Sequence, residues 1–194
     1  MKYILGLTGQ TGAGKSTLHS VAQKKGFYVI DCDKVAHLVL SENEELKTEL
    51  VKAFGDVLTD NKIDRRKLAA KAFSNAENTE LLNKITLPFI INEINYIIEN
   101  TANEYILLDA PTLYESGADS ICNFVVALLA NEEIRKKRII ERDNLSTEAA
   151  ELRLSAAKTD DFYIGRADKI IYNNGSKEEY LGEFRNLLNS LTEE

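Results

Sequence analysis

Gly9-Gln10-Thr11-Gly12-Ala13-Gly14-Lys15-Ser16-Thr17 decides how this chain folds. The stretch satisfies G-x-x-x-x-G-K-[ST], and its flanks give that pattern its mechanical context. Before it, Tyr3-Ile4-Leu5-Gly6-Leu7 reads as a short buried strand. After it, the run from Ser16 to Lys25 has no Gly or Pro and reads as a helix that Gly26 stops. Strand, glycine-rich turn and helix together make a phosphate cradle. The glycines allow φ > 0 and close backbone approach. Successive N–H groups of Gly12, Ala13, Gly14, Lys15, Ser16 and Thr17 converge on an anion at the positive end of the helix. Lys15 would then reach the β- and γ-phosphates of a nucleotide, and the Ser16 hydroxyl would ligate Mg²⁺.

Composition bounds the rest. With 194 residues the chain can bury one substantial core with room for a small subdomain. Its 44% hydrophobic and 28% charged content excludes a disordered chain. A net charge of −7 gives no overall basic field for nucleic acid or an anionic membrane surface, so any positive charge that grips phosphate must be local. The two cysteines, Cys32 and Cys122, lack C-x-x-C spacing and fit reduced thiols. No signal-like segment precedes the first strand, and no apolar run approaches the roughly 20 residues of a membrane span. The expectation is a soluble, cytoplasmic protein with no nucleic-acid or membrane partner, the monomer being favoured.

Outward from the loop, residues 27–31 read as a second strand that delivers Asp31-Cys32-Asp33 to its carboxyl end, the ligand edge of a parallel sheet. Asp33 could be a catalytic base or the N-cap of a helix starting at Lys34. Ser41-Glu42-Asn43-Glu44 reads as a capping box opening a helix to Phe54, with Leu46, Leu50 and Phe54 as its buried stripe. A turn at Asp60-Asn61-Lys62 leads to Asp64, which can cap a helix running to Phe73. Separate helices are expected near 77–85, ending before Pro88, and at about 89–99. Residues 41–100 thus form a helical insertion, longer than a crossover needs. Arg65 and Arg66 read as solvated charges unless something places them over the cleft.

Residues 105–109 form a third buried strand ending in Asp109, a second candidate for Mg²⁺. Pro111 ends that strand. A fourth strand spans 124–130, and Asn131 is the expected cap of the next helix. On that helix Arg135, Arg138 and Arg142 stand at i, i+3 and i+7 and share a face. The stripe is either solvated charge or part of a lid that closes arginines on phosphates. Arg142, next to the turn at Asp143-Asn144-Leu145-Ser146, is the best lid candidate. A fifth strand follows Arg166-Ala167-Asp168 and turns out at Asn173-Asn174-Gly175. The capping box Ser176-Lys177-Glu178-Glu179 opens the last helix.

These signatures, taken in order, resemble dephospho-coenzyme A kinases. They are Gly6-Leu7-Thr8-Gly9 into the loop, Asp31-Cys32-Asp33, Asp64-Arg65, Ile85-Thr86 with Pro88, and residues 108–115 (Leu-Asp-Ala-Pro-Thr-Leu-Tyr-Glu). Arg138 with Arg142, and Ala167-Asp168 leading to Asn173 and Gly175, complete the set. The resemblance implies an α/β P-loop kinase fold, a five-stranded parallel sheet flanked by helices. It would be one kinase domain, with its core at about 1–40, 101–142 and 158–194, an acceptor insertion at 41–100 and a lid at 143–157. It implies ATP-dependent phosphorylation of the 3′-hydroxyl of dephospho-coenzyme A. Asp33 would be the base, Lys15 and Arg142 would act on the phosphates, and Arg138 and Asn173 would meet the nucleotide. Thr8, Asp33, Arg65, Asp109, Pro111 and Leu113 would meet the acceptor, with ATP and Mg²⁺ required. Leu87, Ala157 and Gln10-Thr11 depart from the residues commonest in the family. The rival readings are another nucleoside or nucleotide kinase and a nucleotide-dependent regulatory ATPase. Against a GTPase, Asp109 is followed by Ala110-Pro111-Thr112 rather than by x-x-Gly.

Overall fold

A computed structural model describes residues 2–192. In chain order the elements begin with β1 (Tyr3–Gly9), α1 (Ser16–Lys24) and β2 (Tyr28–Asp31). They continue through α2 (Cys32–Glu42), α3 (Glu44–Phe54), a hairpin of β3 (Leu58–Thr59) and β4 (Lys62–Ile63), α4 (Arg65–Ala72) and α5 (Ala76–Asn100). The chain finishes with β5 (Tyr105–Asp109), β6 (Phe124–Leu129), α6 (Glu132–Asp143), α7 (Thr147–Ser155), α8 (Asp160–Ile164), β7 (Lys169–Tyr172) and α9 (Lys177–Thr192). These elements form two compact units. One comprises the residues up to Asp31 and from Ala102 onward, the other Cys32–Thr101.

The first unit holds the expected five-stranded sheet, all parallel, in the order β2-β5-β1-β6-β7. The chain builds β2 and β5 on one side of β1, then β6 and β7 on the other. The loop after β1 therefore opens at the point where strand order reverses, the usual ligand crevice of such a sheet. Register places Gly9 beside Leu128, and Asp31 beside Asp109, at the same edge. Leu5, Leu7, Leu107 and Leu128 are fully buried with Leu18 and Ala22 of α1 and Phe184 and Leu188 of α9. Each large side chain buried this way contributes about 1.5–3 kcal/mol. The capping box at Ser176 forms as expected: its N–H donates to Glu179 Oε2 at 2.9 Å, and its Oγ accepts the Glu179 N–H at 3.3 Å. Asp168 fixes the edge strand, its Oδ2 accepting the Val125 N–H at 2.7 Å.

The second unit departs from the sequence reading in four places. It begins at Cys32 rather than at residue 41, so α2 belongs to the helical unit. Helix α2 starts at Cys32, which puts Asp33 inside its first turn, not at its N-cap. Ser41 lies within α2, donating its hydroxyl to the Leu38 carbonyl at 2.9 Å. The cap of α3 is Asn43, which accepts the Leu46 N–H at 2.8 Å. The two helices expected around Pro88 are one, α5, which runs through it. An interior proline costs about 3 kcal/mol. That cost is offset by a 25-residue helix packed along α2, α3 and α4, with Thr86 and Ile94 buried. The remaining expectations hold: Leu46, Leu50 and Phe54 are buried, and Asp64 caps α4 by accepting from the Arg66 and Lys67 N–H groups. Asp60 and Asn61, both left-handed, make the tight turn of the β3–β4 hairpin.

Candidate active site

The phosphate-binding loop is shaped by where it touches its neighbours. Gly9 has φ of +131°, and a Cβ there would fall on the Leu128 carbonyl oxygen. Only glycine lets β1 leave the sheet beside β6 this closely. Gly14 has φ of +103°, and a Cβ on it would meet Asn173 Nδ2 at 2.8 Å. The Ala13 N–H closes the first turn onto the Gln10 carbonyl at 3.1 Å. The Lys15 ammonium arches back over the loop, donating to the Gly9 carbonyl at 2.9 Å and the Gln10 carbonyl at 3.5 Å. Ser16 is exposed at the start of α1, and Thr17 is half-buried.

Two residues distant in sequence clamp this loop from outside. Asn173, only 3% exposed, follows β7 and donates Nδ2 to the Ala13 carbonyl at 2.7 Å. Arg138 donates one terminal nitrogen to the Gly12 and Ala13 carbonyls at 3.5 and 3.3 Å. Its other terminal nitrogen goes to Asn173 Oδ1 at 3.1 Å and its carbonyl at 3.4 Å. The carbonyls thus spend their lone pairs outward; the Ala13 N–H closes the turn and the Thr17 N–H bonds the Gly14 carbonyl at 3.2 Å, which leaves the Gly12, Gly14 and Ser16 N–H groups to face an anion. Arg135, on the same helix, is 5% exposed and ties Nε to the Ala130 carbonyl at 2.9 Å. The solvated-stripe reading therefore fails for both Arg135 and Arg138. Asn131 precedes α6, yet its side chain does not cap the helix; its N–H donates to Asn174 Oδ1 at 2.7 Å.

Arg142 behaves differently. It is 58% exposed and forms a two-pronged pair with Asp143, both contacts 2.7 Å, while Arg153 of α7 reaches the same carboxylate at 2.6 Å. The pair raises the Arg142 pKa and lowers that of Asp143, hydrogen bonding being the main cause in each. The structure thus brings Lys15, Arg138 and Asn173 to the loop and leaves Arg142 at the turn between α6 and α7, where Asn144 adopts a left-handed conformation.

Beside the loop, Asp109 ends β5 and is 8% exposed. Its Oδ2 lies 2.6 Å from His19 Nε2, and its Oδ1 is buried with no hydrogen-bond partner. Ser16 and His19 stand at i and i+3 on α1, so one helix face carries the Ser16 hydroxyl and the contact to Asp109. No cluster of three or more His, Cys, Asp or Glu side chains among the described residues could cage a metal. One unpartnered carboxylate oxygen and one hydroxyl suit Mg²⁺, which keeps most of its shell for water and substrate phosphates. Thr8 and Leu113, expected at the acceptor, are fully buried. Thr8 donates to the Pro111 carbonyl at 3.3 Å, and Leu113 packs beneath Gly6. These residues support the loop after β5 and have no surface to offer a substrate.

A cavity of about 240 Å³ opens beside the loop, lined by Gly14, Thr17, Arg138, Asn173, Lys177 and Tyr180. Sequence reading missed Lys177 and Tyr180 here, because their spacing in α9 matches an ordinary helix start and core stripe. It missed His19 because nothing local links it to a residue 90 positions away. In the helical unit Arg65 meets His37, NH1 to Nδ1 at 2.7 Å, and Asp33 occupies the first turn of α2. Cys32 and Cys122 form no disulfide, and burial pushes the Cys122 pKa up to about 12. No helix among the described residues is long and apolar enough to cross a membrane.

Comparison with known proteins agrees with this geometry. The family model described as dephospho-CoA kinase matches residues 3–179. The chain is 36% identical over 178 residues to a dephospho-CoA kinase of Fusobacterium nucleatum, covering 91% of this chain and 92% of that one. It is 32% identical over 183 residues to one of Enterococcus faecalis, covering 92% of each. The solved dephospho-CoA kinase of Campylobacter jejuni superposes with a TM-score of 0.72 at 32% identity, over 100% of this chain and 98% of that one. A shikimate kinase from Acinetobacter baumannii, at TM-score 0.55 and 16% identity over 100% and 94% of the two chains, shares the fold alone. With a family match across nearly its whole length and relatives above 30% identity over nine-tenths of it, this chain belongs to the dephospho-CoA kinase family.

Proposed function

We propose that the protein transfers the γ-phosphoryl group of ATP to the 3′-hydroxyl of dephospho-coenzyme A, giving coenzyme A and ADP. The observation that carries the reading is the clamp of Arg138 and Asn173 on the loop carbonyls, which presents the loop's N–H groups to phosphate in a chain of this family. Within the loop of residues 12–17, phosphates settle on the N–H groups of Gly12, Gly14, Lys15 and Ser16 at the start of α1. Lys15 exchanges its contacts to the Gly9 and Gln10 carbonyls for the β- and γ-phosphates. The cavity at Tyr180 is smaller than the roughly 300–1,000 Å³ of whole-ligand pockets, and it fits one ring system such as the nucleotide base. Ser16 and Asp109 would hold Mg²⁺, which neutralises phosphate charge. Arg65 steadies the acceptor. The 3′-oxygen bonds to the γ-phosphorus as the bond to the β–γ bridging oxygen breaks, and its proton passes to the Asp33 carboxylate. Arg142 leaves Asp143 when the lid, residues 143–157, closes on the developing charge. The same reading makes the chain a cytoplasmic monomer, one kinase domain whose helical insertion receives the acceptor.

The test is an ATP-consumption assay over dephospho-coenzyme A, adenosine and nucleoside monophosphates. Turnover should appear with dephospho-coenzyme A and be at background with the others. Preference for a nucleoside monophosphate would assign a different acceptor to the same machinery. Asp33→Asn then tests the base. Turnover should fall by roughly 10²–10⁴. The melting temperature should change little, since removing a first-turn charge costs at most about 1 kcal/mol. A stable variant retaining more than about a tenth of the parent rate, well outside that range, would remove Asp33 from the chemistry.

A further inference from the structure

Gln10 is the second residue of the phosphate-binding loop, and it is 2% exposed. A buried primary amide must place both its ends, and here each end has a defined partner. The Ala130 N–H, a backbone donor, lies 3.3 Å from Oε1, so the oxygen must face β6. Nε2 then points the other way, at two acceptors: Asp160 Oδ1 at 2.7 Å and the Lys158 carbonyl at 3.4 Å. The contact to Asp160 is charge-assisted and well formed. No other residue of the loop has a side-chain hydrogen bond described to this segment.

Lys158 and Asp160 lie on the stretch by which the chain returns from α7 to the sheet. That return is anchored below: Tyr163 of α8 is 4% exposed against Ala127 and Leu129, and Phe162 packs edge-on against Tyr114. The outgoing end of the lid, α6, is tied to the loop through Arg138. Gln10 makes the corresponding tie at the incoming end. Its backbone also sets the loop, since the Gln10 N–H bonds the Leu128 carbonyl at 3.2 Å and its carbonyl accepts from Ala13.

We propose that Gln10 is a positioning residue for ATP: through Asp160 it fixes the phosphate-binding loop against the return segment of the lid, so that the loop's N–H groups keep the spacing a triphosphate needs. The proposal rests on the nucleotide-kinase reading above. A glutamate at position 10 keeps the shape and the acceptor toward Ala130, but turns a carboxylate against Asp160. Gln10→Glu should raise the ATP dissociation constant, measured by calorimetry without acceptor, about tenfold or more, as for a buried hydrogen bond left unmade beside a charge. The KM for dephospho-coenzyme A should stay near the parent value. The swap Gln10→Glu with Asp160→Asn restores a donor facing an acceptor and should recover most of the ATP affinity. Parent-like ATP binding by Gln10→Glu, or no recovery in the swap, overturns the proposal. If Gln10→Glu does not fold, Asp160→Ala at an exposed position replaces it, with a several-fold loss of ATP affinity supporting the tie and an unchanged affinity refuting it. Failure of the kinase reading is a separate result, a parent protein that neither binds ATP nor phosphorylates any acceptor.

Discussion

Arg138 and Arg142 stand one turn apart on one face of α6, and the protein treats them in opposite ways. Arg138 is drawn into the sheet unit and used up by four acceptors of the loop and Asn173. Arg142 is held at the surface by its own neighbour, Asp143. The first arginine shapes the loop, and the second lies at the surface in its pair with Asp143. Identical side chains at helical spacing therefore carry different roles, decided by what the rest of the chain packs against each turn. A pair exposed to water contributes little to stability, which suits the proposed release of Arg142 from Asp143.

The sharpest way to break this contrast is Arg138→Ala. It removes the donor from the Gly12 carbonyl and from Asn173, while Ala13 keeps its bond from Asn173 Nδ2, and each orphaned buried group costs about 1–3 kcal/mol. We expect a stability loss of roughly 2–3 kcal/mol. At about 2–4 °C per kcal/mol, that is roughly 4–12 °C in melting temperature, accompanied by weakened ATP binding. An unchanged melting curve would show that the clamp is dispensable.

Arg142→Ala should do the reverse. The melting temperature should fall by no more than about 4 °C, as for a surface pair, while kcat falls about a hundredfold, typical of removing one preorganised charge from a transition state. ATP and acceptor affinities should change far less than kcat. Equal, small, salt-sensitive losses for Arg138→Ala and Arg142→Ala would erase the distinction.

The smallest effect concerns acid. Hydrogen bonding to Arg142 lowers the Asp143 pKa below its ordinary 3.8, so the pair's contribution is complete above that value and lost as pH falls through the lowered one. Arg142 stays charged throughout, its own pKa being raised. Between pH 6 and 8 the NMR signal of the Arg142 Nε–H group should not titrate, and release should appear only below about 3.8. A transition near neutrality would mean another group controls the lid turn.

Local chemistry made much of this legible. The loop pattern, its flanking strand and helix, the strand-ending carboxylates and the caps at Asp64 and Ser176 each depend on residues a few positions apart, and each formed. Pro88 shows where local rules mislead: its penalty is real, but a long packed helix absorbs it. Of the two roles open to Asp33, the structure removes the N-cap, because one residue of difference in a helix start is not encoded locally. Thr8 and Leu113 carried family resemblance, yet they are buried supports.

By itself the sequence determined that a phosphate cradle sits on a parallel sheet, because strand, glycine turn and helix are contiguous and need no partner to be recognised. Only the tertiary structure decided which side chains serve that cradle. Asn173 meets Ala13 across 160 positions, Asp109 meets His19 across 90, and Gln10 meets Asp160 across 150. These contacts follow from strand order and helix packing, which bring together residues that no local pattern joins.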